Sequence, residues 1–171
     1  MSTTGEIRME PRWLDDREQR AWRALVGLIR GLGAGMEADL VTQGVSGADF
    51  QLLVPLSEGP PTGLRARDLG RAVGWDRSRL SHQLRRMEER GLVTRGACGD
   101  DARGIVIQIT DQGLDTVRRV APGHVEWVRS HVFDVLSDDD VKALTSLAER
   151  LTASVSPSPD DACRQPQGVE T

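Results

Sequence analysis

The sequence predicts a mainly helical protein that carries one small β-hairpin. Apolar residues recur every three or four positions through several segments of the 171-residue chain, which is the spacing of amphipathic helices. Ile105, Ile107 and Ile109 instead alternate, which is the period of a strand with one buried face. Hydrophobic residues make up 38% of the chain and charged residues 28%, and no apolar run approaches the roughly 20 residues that span a bilayer.

The first predicted helix runs from about Leu14 to Thr42. Its apolar stripe consists of Trp22, Leu25, Ile29, Leu32, Met36 and Leu40. The segment GLGAG, at Gly31–Gly35, superficially resembles a dinucleotide-binding loop, but that loop needs a preceding strand and a third glycine where Met36 stands. We therefore interpret these glycines as part of the helix, where they allow close helix approach or weaken it locally.

A second helix is predicted to begin at Ser46, which is a suitable N-cap with Asp49 three residues later. Its inward-facing residues are expected to be Phe50, Leu53 and Val54. Pro55 should end or kink this helix, and the segment SEGPPTG that follows is typical of a loop.

The centre of the chain predicts two shorter helices. Leu69 and Val73 belong to the first, which Gly74 ends. Asp76 can cap the second, and Gly91 ends it. The apolar stripe of this second central helix consists of Leu80, Leu84 and Met87.

A hairpin follows these helices. Its strands are predicted at Leu92–Arg95 and Ile105–Ile109, on either side of a polar segment that begins at Cys98. Two helices joined by a tight glycine turn and followed by a hairpin are the parts of a winged helix-turn-helix.

Two more helices are predicted toward the C-terminus. Thr110 caps the first, which should be interrupted and kinked at Pro122 and Gly123. The second follows Ser137 and has acids in its first turn, which favour the helix dipole. Its apolar stripe consists of Val141, Leu144, Leu147 and Leu151. We expect residues 1–13 to be flexible and residues 155–171, which lack a core pattern, to be a disordered tail.

The net charge of −4 hides a basic middle. Ten arginines and six acids lie between Arg65 and Arg103, so this segment carries +4 and the rest of the chain −8. A basic centre in an acidic protein is typical of a module that meets phosphate. Scattered surface arginines would give the same count, because 21 of the 22 basic residues are arginine.

The solvent face of the second central helix carries residues suited to DNA recognition. The candidate DNA-binding residues on it are Arg77, Ser78, Arg79, Ser81, His82, Arg85 and Arg86. Arg79 or Arg85 can donate two hydrogen bonds to guanine O6 and N7, while the serines and His82 can donate to base edges or phosphates. Arg77 and Arg86, at the flanks, suit phosphates. The alternative is a solvated helix face with ordinary charge.

Arg103 stands near the end of the hairpin. A guanidinium on a thin hairpin can enter the minor groove, which is too narrow for a helix and has concentrated negative potential. Asp101 is expected to bond Arg103 or nearby backbone amides and so to fix the direction of the arginine. A charged turn that only confers solubility is the alternative.

No catalytic, metal or disulfide motif is present. HExxH, P-loop, G-x-S-x-G and CxxC patterns are all missing from the sequence, so we predict no enzyme activity and no cofactor. His124 and His131 lie seven residues apart, which is not zinc-ligand spacing. Cys98 and Cys163 lie in polar segments without a partner pattern, and the N-terminus has no apolar signal-peptide core, so we expect a cytoplasmic protein.

Two segments resemble a known family. LGRAVGWDRSRLSHQLRRMEERGLVTR is similar to a recognition helix that ends in E-x-G-L-V-x-R. DDARGIVIQITDQG is similar to a wing with Asp101-x-Arg103, a strand and then Ile109-Thr110-x-x-Gly113. Together they resemble the multiple antibiotic resistance regulator (MarR) family of bacterial transcription factors. With the helix order on both sides, the resemblance covers about Leu14 to Thr152.

The resemblance implies a homodimeric repressor. Residues 46–110 would form the winged helix-turn-helix DNA-binding domain, and residues 14–45 and 111–154 the helical dimerisation region. Each subunit would place its recognition helix in one of two successive major grooves of a pseudopalindrome, with half-sites about 10 bp apart. Family members often bind aromatic or phenolic ligands between the two regions, which usually releases DNA, and some sense oxidants through cysteine.

Three alternatives stay open. The chain could be a winged-helix module for protein contacts, a regulator without a ligand, or a regulator that responds to oxidation of Cys98. The neighbouring Asp100 and Asp101 disfavour the Cys98 thiolate. The tryptophans Trp13, Trp22 and Trp75 could line a ligand cleft, although aromatic residues at helical spacing more often pack in a core.

Overall fold

The computed structural model describes residues 11–98 and 101–155, and the side chains of residues 97, 98 and 101–104 lie outside that description. The described chain is mostly helical with one three-stranded antiparallel sheet, which confirms the predicted fold class. Its elements, in order, are α1 (Asp16–Thr42), α2 (Gly47–Glu58), β1 (Leu64–Arg65), α3 (Ala66–Val73), α4 (Arg77–Glu89), β2 (Val93–Cys98), β3 (Asp101–Ile109), α5 (Asp111–His131), a 3₁₀ turn (Phe133–Val135) and α6 (Asp138–Val155). None of the helices described is long and apolar enough to cross a membrane. The described residues divide between His124 and Val125 into two compact units.

Helix α1 begins with a capping box. The Asp15 side chain accepts a hydrogen bond from the Glu18 N–H at 2.7 Å, and the Glu18 carboxylate accepts one from the Asp15 N–H at 2.9 Å. The helix continues through Gly31–Gly35, as we interpreted that segment. Its predicted stripe is buried only toward the C-terminal end, at Leu40, whereas Trp22 is 58% and Ile29 63% exposed.

Helix α2 begins as predicted, since the Ser46 hydroxyl accepts a hydrogen bond from the Asp49 N–H at 3.1 Å. Of the two outcomes expected at Pro55, an end of the helix is wrong, because α2 continues to Glu58, and a kink stays a prediction. Proline has a helical φ, so the last turn can form beyond it although its N–H bond is lost and its ring crowds the carbonyl four residues earlier. In α5 the expected interruption at Pro122 and Gly123 likewise does not occur, because the helix reaches His131, and the expected kink stays a prediction.

The core of the first unit joins α2, α3 and α4 to the sheet. Its most deeply buried members are Leu52, Leu53, Leu69, Met87, Val93 and Ile107. The predicted stripe of α4 lies in this core, with Leu80 4%, Leu84 2% and Met87 0% exposed. A second cluster consists of Leu40, Val45, Phe50 and Val120.

The strand order in the sheet is β1-β3-β2. Leu64 pairs with Ile107, and Val93 pairs with Ile109, both in antiparallel register. The two wing strands are longer than predicted, and β1 was not predicted at all because two residues carry no periodicity. The alternating isoleucines are only partly buried, since Ile107 is fully buried but Ile105 is 50% exposed.

The predicted caps of the last two helices are present. The Thr110 hydroxyl accepts a hydrogen bond from the Gly113 N–H at 3.0 Å, and the Ser137 hydroxyl accepts one from the Asp140 N–H at 3.3 Å. A hydrogen bond from the Ser137 hydroxyl to the carboxylate lowers the pKa of Asp140. In the second unit, the predicted stripe of α6 faces outward, with Leu144 43%, Leu147 49% and Leu151 52% exposed.

Candidate nucleic-acid interface

The turn between α3 and α4 is fixed by backbone hydrogen bonds. Gly74 adopts φ +68°, which allows its N–H to bond the Arg71 carbonyl at 3.3 Å and the Trp75 N–H to bond the Gly70 carbonyl at 2.9 Å. This paired arrangement ends α3 at Val73 and leaves three residues before α4 starts at Arg77. It therefore sets where α4 begins.

Asp76 caps the N-terminus of α4, as predicted. Its carboxylate accepts a hydrogen bond from the Arg79 N–H at 2.9 Å. That bond lowers the pKa of the Asp76 carboxyl, so the cap is ionised at neutral pH.

Helix α4 separates its apolar and polar residues onto opposite faces. The structure exposes all seven candidate DNA-binding residues of this helix, namely Arg77, Ser78, Arg79, Ser81, His82, Arg85 and Arg86. The acids Glu88 and Glu89 are confined to its C-terminal end. The N-terminal two thirds of the helix thus presents guanidinium, hydroxyl and imidazole groups without a carboxylate between them.

Two of these arginines contact aromatic rings. The guanidinium carbon of Arg79 lies 4.0 Å from the centroid of the Trp75 ring. The guanidinium of Arg85 lies 3.3 Å from a ring nitrogen of His82, which can accept its hydrogen bond only when the imidazole is neutral. Both guanidinium groups thus contact a ring on the exposed face of α4.

A buried carboxylate joins α2 to the C-terminal half of α4. Asp49 is 1% exposed and accepts hydrogen bonds from Gln83 Nε2 at 2.6 Å, from the Ser46 hydroxyl at 2.7 Å and from the Arg90 guanidinium. Burial raises the pKa of the Asp49 carboxyl, but the bonds from Arg90 and Ser46 outweigh burial and hold this pKa below its usual value. Gln83 also accepts a hydrogen bond from Arg86, so one candidate residue is tied to this cluster.

A basic cleft of about 570 Å³ lies between α3, α4 and the wing strands. Five arginines line it: Arg65, Arg67, Arg71, Arg77 and Arg95. Its apolar floor includes Trp75 and Ile107. Arg95 is held by Glu88, with 2.6 Å between Nη2 and the carboxylate oxygen. The cleft extends the positive surface of α4 toward the wing.

The wing candidates are placed only by their backbone. Asp101 pairs with Cys98 at the far end of the hairpin, and Arg103 lies two residues further along β3, so it belongs to the strand and not to the turn. The side chains of Asp101, Arg103 and Cys98 lie outside the described residues, so the expected bond between Asp101 and Arg103 stays a prediction.

Several residues of this surface had no role predicted from the sequence. Arg67, Arg71 and Arg95 were counted in the basic segment but not placed in a cleft. Trp75 was considered only as a possible ligand-cleft residue. Asp49 was placed beside its cap Ser46, but its bond with Gln83 was not predicted, because the two residues are 34 positions apart. Within the described residues, no group of three or more His, Cys, Asp or Glu side chains could hold a metal ion.

Known proteins resemble this chain in sequence and in fold. A sequence model of the MarR family matches residues 43–104. Sco3205, a MarR family transcriptional regulator from Streptomyces coelicolor solved in complex with DNA, is 37% identical, with a TM-score of 0.84 over 87% of this chain and 94% of that one. AbsC, a MarR family transcriptional regulator from the same organism, is 43% identical, with a TM-score of 0.76 over 84% of this chain and 99% of that one.

A more distant structure shares the fold. The PcaV transcriptional regulator from Streptomyces coelicolor, solved with its natural ligand, is 23% identical, with a TM-score of 0.65 over 86% of this chain and 100% of that one. The two more similar relatives match far beyond the winged helix-turn-helix, over nearly their whole length. The chain therefore belongs to the MarR family, whose members are transcriptional regulators and not enzymes.

Proposed function

We propose that this chain is a sequence-specific DNA-binding repressor that acts in the cytoplasm as a homodimer. The observation that carries the proposal is the division of α4 into a buried apolar face and an exposed face of arginine, serine and histidine. An α-helix fits the major groove, and arginine is the side chain that most often pairs with guanine there. Sco3205, at 37% identity, is solved in complex with DNA.

The contacts divide into two classes. Arg79 and Arg85, held on aromatic neighbours, are proposed to read bases. Arg77, Arg86 and the arginines of the cleft are proposed to bind phosphates, with the serines and His82 supplying further hydrogen bonds. Arg103 would enter the minor groove beside the helix, with its direction fixed by Asp101.

The homodimer proposal rests on apolar surface that the single chain leaves open. On α1, Trp22, Leu28 and Ile29 are each more than half exposed, and on α6 the stripe residues Leu144, Leu147 and Leu151 are exposed. Surfaces of this kind mark protein contacts. We propose residues 14–45 and 111–154 as the dimerisation region and residues 46–110 as the DNA-binding domain, with the two recognition helices about 10 bp apart on a pseudopalindrome.

Release by a small molecule is the remaining part of the proposal. PcaV is solved with its natural ligand, which supports ligand control on this fold. We propose an aromatic or phenolic effector that lowers the affinity for DNA by changing the spacing of the two recognition helices. Aromatic acids and phenols added to the protein–DNA complex provide the test. Regulation without any ligand is the alternative, and it predicts that none of them changes the affinity.

The DNA-binding proposal is tested by selecting duplexes from a random library with the purified protein. We expect enrichment of a pseudopalindrome and an affinity that falls steeply with salt. Arg79→Ala and Arg103→Ala should each weaken binding to the selected duplex by about 1–3 kcal/mol without changing the melting temperature. Arg118→Ala, which removes the same charge from an exposed site on α5, is the matched control and should change affinity little.

Two results would contradict this proposal. Binding that is weak and indifferent to sequence would favour a winged-helix module for protein contacts. An unchanged affinity in Arg103→Ala alone would remove the wing from the mechanism and leave the helix contacts standing.

If the affinity of the wild-type complex falls under mild oxidant and that of Cys98→Ser does not, the signal is oxidation of this cysteine.

A further inference from the structure

Trp75 is held rigidly at the start of the recognition helix. Its N–H bonds the Gly70 carbonyl at 2.9 Å, and its partly buried ring packs against the core cluster. Trp75 precedes the cap Asp76, and Leu80 is the fourth residue of the helix, so the two occupy the positions of a hydrophobic staple. The orientation of the ring is therefore set by the fold and not by a ligand.

The exposed guanidinium of Arg79 lies over this ring, with 4.0 Å between its carbon and the ring centroid. The backbone of Arg79 is fixed as well, through the hydrogen bond from its N–H to Asp76. A ring attracts the cation through its π face and, unlike a carboxylate, does not consume the N–H donors of the guanidinium. Stacking can therefore orient Arg79 and leave its donors available for a base.

We propose that Trp75 is a positioning residue for base recognition: its ring holds the Arg79 guanidinium in the plane and direction that discriminate guanine. This inference rests on the proposed function, because it assumes that α4 reads a major groove. An arginine that is already oriented loses less conformational freedom on binding, and a fixed plane penalises bases that cannot accept two parallel hydrogen bonds. Trp75 thus contributes to specificity without touching DNA.

The test is a double-mutant cycle on the duplex that the wild-type protein selects. Trp75→Leu keeps an apolar side chain and should weaken binding about two- to tenfold, because an unstacked Arg79 must lose its conformational freedom when it binds. Trp75→Phe retains a ring and should lose less. In an Arg79→Ala background, Trp75→Leu should cause no additional loss. The loss should also concentrate at the one base pair where Arg79→Ala abolishes discrimination.

A purely structural role of Trp75 predicts a different pattern. Trp75→Leu would then weaken binding equally with and without Arg79, and at every base pair, which overturns this inference and leaves the proposed function intact. A wild-type protein that enriches no sequence overturns both.

A measurement on the wild-type protein covers the case in which Trp75→Leu does not fold. The Arg79 Nε–H proton should show a ring-current shift in its NMR spectrum, and Arg79→Lys assigns the signal by removing it. A signal at the position of a solvated arginine would overturn the inference.

Discussion

Removing Arg90 should cost more stability than removing the charge of its buried partner Asp49. Asp49 is 1% exposed and the Arg90 side chain 49% exposed. Arg90→Ala therefore leaves a buried carboxylate with only the neutral donors of Ser46 and Gln83, and a stranded buried charge costs about 3–5 kcal/mol. Asp49→Asn leaves a half-exposed guanidinium that can turn to water, so its cost should be about 1–2 kcal/mol. Against a typical total stability of about 5–15 kcal/mol, this difference is large.

The two substitutions should also be non-additive. Because Asp49→Asn removes the charge that Arg90→Ala strands, the double variant should be more stable than Arg90→Ala alone. The pH dependence of the contribution of Asp49 to stability should also change sign in Arg90→Ala. In the wild type, the lowered pKa of Asp49 gives stability that is present above the ordinary carboxyl value and is lost as pH falls through the folded value. In Arg90→Ala, burial without the cation should raise this pKa, so the contribution of Asp49 to stability should increase as pH falls.

Urea unfolding at a fixed protomer concentration, followed by circular dichroism at several pH values, measures the free energy of unfolding of the wild type, the two single variants and the double variant. Arg118→Ala is the matched control. Arg118 and Asp115 form a pair 3.1 Å apart with both side chains 72% exposed, so their separation should cost about 0–1 kcal/mol. The reasoning is refuted if the free energy of unfolding of Arg90→Ala lies within about 1 kcal/mol of that of Arg118→Ala. It is also refuted if the double variant is no more stable than Arg90→Ala.

Two further substitutions test the packing of α5 and the proposed dimer. Gly113→Ala should destabilise the protein by about 1–3 kcal/mol, because a Cβ there would collide with the backbone carbonyl of Leu92. Gly123→Ala, in the same helix, meets the end of the Gln43 side chain at 2.8 Å, which can shift more easily than a backbone carbonyl, and should cost less than Gly113→Ala; equal urea midpoints for the two would contradict this account. Leu147→Glu, on the exposed apolar stripe of α6, should weaken the dimer, whereas Ser146→Glu on the opposite side should not. Sedimentation equilibrium measures both, and an unchanged dimer in Leu147→Glu would remove this stripe from the interface.

The sequence by itself determined the features that depend on neighbouring residues. The caps Asp76 and Ser46, the left-handed glycines Gly74 and Gly91, and the exposed face of α4 all follow from groups within about four positions of one another. Backbone termination and helical periodicity are local, so they can be predicted without knowing how the helices pack. The expected end of α2 at Pro55 and the expected interruption of α5 at Pro122 were wrong, because a local rule for helix breakers ignores the packing of the whole helix.

Only the tertiary structure decided which distant residues meet. Gln83 and Arg90 reach Asp49 across 34 and 41 positions, and β1 exists only because Leu64 pairs with Ile107. The basic cleft likewise depends on bringing α3 and the wing strands beside α4. Buried polar groups are selected by the donors that packing places around them, and a sequence pattern carries no record of those distances.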